Sequence, residues 1–99
     1  MSRIADTFAA LKVEGRAAFI PFIMGGDPDF ATSLSLLKAL PAAGADLIEI
    51  GVAFTDPMAD GPVIQASYTR ALANGLHVAD IFAGIASLKN ETNIPPLVA

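Results

Sequence analysis

Ala45-Asp46-Leu47-Ile48-Glu49-Ile50-Gly51 is a strand-length apolar run with one carboxylate near its centre, leading into a polar loop that holds Asp56, Pro57, Asp60, Gly61 and Pro62. In a strand, Ile48 and Ile50 project to one face and Leu47, Glu49 and Gly51 to the other. A second apolar run, Ala17 to Met24, contains Phe19, Ile20, Phe22 and Ile23 and stops at Gly25-Gly26-Asp27-Pro28. It reads as a buried parallel strand followed by a turn. A third strand begins at Pro95 and runs to Ala99.

Helical spacing fills the intervals. Ser2 caps a helix over residues 2 to 12 that repeats Ile4, Phe8 and Leu11, and Gly15 ends that region. The next helix starts near Asp27 to Asp29 and carries Phe30, Leu34, Leu37 and Leu40 on one face. Pro41 disturbs its last turn, because proline lacks an N–H and clashes one turn back. Pro62 opens a helix that reaches about Ala73 and is closed by Gly75, and Val78 to Lys89 forms another with Ile81, Phe82, Ile85 and Leu88. Strands alternating with helices over short connections predict an α/β fold with a parallel sheet and helices packed outside it.

Composition narrows the functional classes. Of the 99 residues, 54% are hydrophobic and 16% charged, which is apolar for a small soluble chain. That balance suits strands buried on both faces, or a piece of a larger body. The run from Ala17 to Met24 is broken by Pro21 and is far shorter than the roughly 20 residues of a membrane-spanning helix. The first residues, Met1-Ser2-Arg3 and then Asp6, lack the pattern of a signal peptide, so the expectation is a cytoplasmic protein without a membrane span. With no cysteine and one histidine, neither a disulfide framework nor a thiolate or histidine metal site is expected. A net charge of -4 with six scattered Lys and Arg argues against a nucleic-acid surface. The sequence stops inside Leu97-Val98-Ala99, an apolar run, and reads as truncated.

Glu49 is the most informative residue. A carboxylate on a strand covered on both faces must be paired, hydrogen-bonded, or kept for chemistry with a raised pKa, because burying it alone costs several kcal/mol. Its ordinary reading is a salt bridge to a nearby Arg or Lys, or an edge strand with one wet face. Asp60 lies in the loop leaving the same end of that strand, which in parallel barrels is where active sites assemble. It can hold a substrate N–H there, or simply cap the helix that begins at Pro62. Asp56-Pro57 and Asp27-Pro28 are usual turn pairs. His77 reads as a surface residue at a helix start; Tyr68, Phe82 and Phe30 read as core; Met24 and Met58 read as gap fillers. Gly25-Gly26 precedes a helix, yet Asp27 and Asp29 place negative charge where an anion would bind, so these glycines read as turn residues.

Pro21-Phe22, Gly26-Asp27-Pro28, Gly44-Ala45-Asp46, Glu49-Ile50-Gly51, Phe54-Thr55-Asp56-Pro57 and Ala59-Asp60-Gly61-Pro62, with Ile64-Gln65 following, stand in an order and spacing that resembles the tryptophan synthase α-subunit family. The resemblance covers the whole chain and about the first third of a roughly 250-residue (βα)₈ TIM barrel. It implies a single partial barrel domain over residues 1–99, made of an N-terminal helix, the first two βα units and the start of the third strand. It further implies a lyase that cleaves indole-3-glycerol phosphate to indole and glyceraldehyde 3-phosphate in tryptophan biosynthesis. Glu49 matches the family's general acid-base and Asp60 the carboxylate that meets the indole N–H. Phe22 matches a residue lining the indole pocket, with Ile64 near it. The stretch Phe54, Thr55, Asp56 and Pro57 falls in the loop that meets a β subunit, in an α2β2 tetramer. The resemblance implies no cofactor in this chain, with pyridoxal phosphate confined to that β subunit. Ala53 stands where the family usually has proline, which leaves the loop less rigid. Two other readings stay open at this level: a non-catalytic truncated fragment, and a different barrel enzyme acting on a phosphate substrate.

Overall fold

The computed structural model describes residues 2–52, 61–73, 75, 77–88 and 94–98. Their elements follow in the order α1 (Arg3–Glu14), β1 (Phe22–Met24), α2 (Phe30–Ala39), a 3₁₀ turn (Leu40–Ala43), β2 (Ile48–Gly51), α3 (Pro62–Ala73), α4 (Val78–Ser87) and β3 (Leu97–Val98). The strands form one parallel sheet in the order β1-β2-β3. Parallel strands alternating with helices are the α/β arrangement expected from the sequence.

Local chemistry accounts for the helix ends. Ser2 Oγ accepts the Ala5 N–H at 3.1 Å, and Gly15 closes α1 in the left-handed region at φ 71°. Asp29 caps α2 by accepting the Thr32 N–H at 2.7 Å, which holds its carboxyl below the usual range. The disturbance expected at Pro41 takes the form of a 3₁₀ turn, closed by Gly44 at φ 100°. Proline at the second position of that turn has no N–H to leave unpaired.

β1 and β2 are shorter than their apolar runs. The run from Ala17 to Met24 becomes a strand only at Phe22, since Pro21 has no N–H to give the ladder. Pairing nonetheless begins earlier: Asp46 N–H donates to Phe19 O at 2.9 Å and Glu49 N–H to Pro21 O at 3.0 Å. The expectation that this run is buried on both faces is not met, because Phe19, Ile20 and Phe22 are exposed. Among the described residues one face of the sheet is covered only at Met24, by α3, and the other is covered by helices.

That covered face holds the main core. Ile48, fully buried, and Ile50 from β2 pack with Leu37 of α2 and with Ile81 and Leu88 from α4 and its end. Gly84 lets α4 approach α2 closely, since a Cβ there would meet Phe30 Cζ and Leu34 Cδ2. The ring of Phe82 points away from this core and is exposed, contrary to its expected core placement. Phe82 directly follows Ile81, so the helical turn that buries one exposes the other.

Two ion pairs brace the ends of the sheet. Arg16 grips both carboxylate oxygens of Asp46 at 3.1 Å, and Asp46 also accepts the Phe19 N–H at 2.8 Å. The Arg16 guanidinium first, and that N–H second, hold the Asp46 carboxyl below its ordinary range. A depressed folded pKa adds stability above the unfolded value that is lost as pH falls through the folded one. Replacing Asp46 with Asn is therefore expected to flatten the acid side of the stability-against-pH curve, as measured by chemical unfolding between neutral pH and about pH 3. At the other end, Arg70 of α3 holds both carboxylate oxygens of Asp27 at 2.7 and 3.0 Å. This ties α3 to the turn that leaves β1.

Candidate functional site

β2 is the central strand, and its alternation sorts the site from the core. Ile48 and Ile50 face the helices, whereas Glu49 is exposed on the opposite, open face. The parallel register places Phe22, Glu49 and Val98 in one row across the three strands. Phe22 is 44% and Val98 37% exposed, so the carboxylate stands between two half-covered apolar side chains. The expectation of an apolar interior around Glu49 is not met among the described residues: Glu49, Phe22 and Val98 are all exposed. Leu47 departs from the same alternation, being 3% exposed.

Phe22, Glu49, Gly51, Val52, Tyr68 and Val98, with Ile50 at the edge, line an open recess of about 490 Å³. Its far wall comes from α3, where Tyr68 and Ala71 are buried against Met24 of β1, with Ile64 packed alongside. Ile64 packs against the Met24, Tyr68 and Ala71 cluster and is not itself part of the recess lining. Met24 fills the gap under α3, in line with its expected role.

Tyr68 is buried in a core cluster, as expected, and it also lines the recess, a second position that sequence reasoning did not give it. It shares a helix face with Ile64 and Ala71, a spacing that describes core packing equally well. What distinguishes it is that α3 packs on the carboxyl end of β1, while α4 joins α2 on the covered face. The usable signal was the presence of two helices between the second and third strands. One crossover helix suffices for a βαβ unit, so the other was free to lie elsewhere.

Electrostatically the recess is dominated by Glu49. The ion pairs among the described residues join Arg16 to Glu14 and Asp46, and Arg70 to Asp27; none reaches Glu49. Of the two ordinary readings of Glu49, the salt bridge finds no support among them, whereas the wet face is what the structure has, on a central rather than an edge strand. A carboxylate flanked by Phe22, Val98 and Tyr68 suits a flat apolar ligand that offers or receives a proton at one edge. Gly25 N–H donates to Gly51 O at 3.0 Å and Gly26 N–H to Ser33 Oγ at 2.8 Å, so the double glycine serves the turn rather than an anion. His77, exposed at the start of α4, donates its N–H to Asp80 Oδ2 at 2.9 Å. Among the described residues no group of His, Cys, Asp and Glu could hold a metal ion, and no helix is long and apolar enough to cross a membrane. Asp60, the loop residues Phe54, Thr55, Asp56 and Pro57, and also Ala53 and Met58, lie outside the described residues.

Comparison with known proteins adds an independent line. The family model described as "Tryptophan synthase alpha chain" matches residues 8–99. A tryptophan synthase alpha chain of Granulibacter bethesdensis is 57% identical over 98 residues, covering 99% of this chain and 35% of the relative. Its counterpart in Gluconobacter oxydans is 53% identical, over 99% of this chain and 36% of the relative. The crystal structure of tryptophan synthase subunit alpha from Legionella pneumophila superposes with a TM-score of 0.93 at 37% identity, over 98% of this chain and 37% of that one. An aminoacrylate-bound tryptophan synthase from M. tuberculosis gives a TM-score of 0.86 at 32% identity, over 98% of this chain and 40% of that one. The chain therefore spans about a third of the length of the relatives it matches.

Proposed function

Since the chain belongs to the tryptophan synthase alpha chain family, we propose that residues 1–99 form one partial barrel domain that supplies a central part of the active site of an indole-3-glycerol phosphate lyase. The observation that carries this reading is the position of Glu49, on the open face of the central strand beside Phe22, in a recess that Tyr68 also lines. In a parallel barrel this face looks into the barrel, and the carboxyl ends of the strands build the active site.

The reaction is a retro-aldol cleavage. The ring carbon that bears the side chain gains a proton, the hydroxyl on the adjoining side-chain carbon loses one, and the carbon–carbon bond between them breaks to release indole and an aldehyde. Glu49 moves these protons, and no net proton is consumed. Positive charge grows on the ring nitrogen when the ring carbon is protonated, and an ionised Asp60 at the N–H stabilises it. Phe22 lies along the ring, and Ile64 supports that wall through Met24 and Tyr68. The substrate phosphate is held elsewhere, because barrel phosphate sites usually follow strands seven and eight. Phe54 to Pro57 face a tryptophan synthase β subunit in an α2β2 assembly located in the cytoplasm. That partner carries the pyridoxal phosphate.

An indole-release assay with indole-3-glycerol phosphate, run on the complete product of the reading frame, tests the proposal. Release of indole is expected, and a folded product that releases none contradicts it. Asp60→Asn is expected to lower turnover about 10²-fold while leaving secondary structure unchanged, through lost charge stabilisation rather than lost proton transfer. Steady-state kinetics with circular dichroism on the same sample check both parts.

A further inference from the structure

Gly51 ends β2 on the same face as Glu49, and its backbone does not require glycine, since its φ lies outside the left-handed region that Gly26 and Gly44 occupy. What a side chain there would lack is room. A Cβ on Gly51 would lie 2.6 Å from Cζ of Phe22, 2.7 Å from Cε of Met24 and 3.0 Å from its Sδ. The tip of the Phe22 ring and the end of Met24 therefore occupy the volume that any side chain at position 51 would claim.

We propose that Gly51 is a specificity-determining position of the recess: its bare Cα lets Phe22 and Met24 lie down on β2, which leaves the space above Phe22, between Glu49 and Tyr68, free for a planar aromatic ring. This rests on the reading of the recess as a ring-binding site. Both displaced groups are the far ends of side chains rather than backbone. Alanine at position 51 is thus accommodated by tilting Phe22 up into the recess, and the fold survives while the ring site narrows. Phe22 is the more consequential of the two, because it forms the recess wall, whereas unbranched Met24 can repack under α3.

The test is equilibrium dialysis of indole against the complete product of the reading frame and three variants: Gly51→Ala, Phe22→Leu, and the pair combined. Gly51→Ala is expected to keep its circular dichroism spectrum and to bind indole about tenfold more weakly, as overpacking a close-fitting site does. In the Phe22→Leu background, where the ring tip is gone, adding Gly51→Ala is expected to change affinity by less than about twofold, the non-additivity of residues acting through one contact. Unchanged affinity in Gly51→Ala overturns the proposal and leaves the reading of the recess standing. An equal loss in both backgrounds also overturns it, because Gly51 would then not act through Phe22. Failure of the unaltered protein to bind indole overturns the proposal together with the reading beneath it. Should Gly51→Ala fail to fold, the double variant decides: folding with the affinity of Phe22→Leu supports the proposal, and failure to fold overturns it.

Discussion

Glu49→Gln, made in the complete product of the reading frame, is expected to reduce indole release by roughly 10²- to 10⁴-fold, the usual contribution of a general acid-base group. The amide preserves the size of the side chain and its capacity for hydrogen bonds but cannot exchange the proton that the bond cleavage requires. The fold has little reason to change. Glu49 is exposed, no ion pair among the described residues reaches it, and the packing around β2 is carried by Ile48 and Ile50 on the other face. Turnover should therefore fall while the unfolding midpoint stays close to that of the unaltered protein. Near-normal turnover in the purified variant removes Glu49 from the mechanism.

Expressed as these 99 residues alone, the chain is expected to have no measurable lyase activity and to self-associate. Among the described residues its sheet ends in β1 on one side and β3 on the other, and neither outer edge has a neighbouring strand. A barrel closes only when the sheet returns on itself, and three strands do not do so. The open face also leaves Phe22 and Val98 half bare, with Phe19 and Ile20 exposed before β1. At about 25 cal/mol per Å² of apolar surface, several such side chains forgo several kcal/mol of burial. That is a large share of the 5 to 15 kcal/mol that typically stabilises a whole domain. Size-exclusion chromatography with light scattering, paired with an indole-release assay, checks both halves. A compact monomer that cleaves indole-3-glycerol phosphate contradicts this expectation.

Much of this architecture was legible because it depends on local rules. Ser2 and Gly15 bound α1 by capping chemistry, Pro41 ends α2 because proline lacks a donor, and alternation in Ile48-Glu49-Ile50 separates core from site. The parts that were not legible depend on what stands opposite. Phe19 and Phe22 read as buried because their run is apolar throughout, yet nothing among the described residues covers them. Leu47 follows the alternation of Glu49 and is nevertheless buried, so its position along the strand outweighs its face. Tyr68 shows the same limit on a helix, since a face of Ile64, Tyr68 and Ala71 fits a core or a pocket wall equally well. Only the placement of α3 against the end of β1 separates the two. The family resemblance added the roles of Asp60 and of Phe54 to Pro57, residues for which spacing alone offered turn chemistry.

The most direct measurement is a crystal structure of the Glu49→Gln variant of the complete product with indole-3-glycerol phosphate bound, the substitution serving to hold the substrate uncleaved. The expected result places the indole ring against Phe22 and Tyr68, with the ring carbon that bears the side chain, or the hydroxyl next to it, within about 3.2 Å of the residue 49 side chain. A ring bound outside this recess, or one whose reacting atoms lie beyond the reach of residue 49, contradicts the assignment of the site.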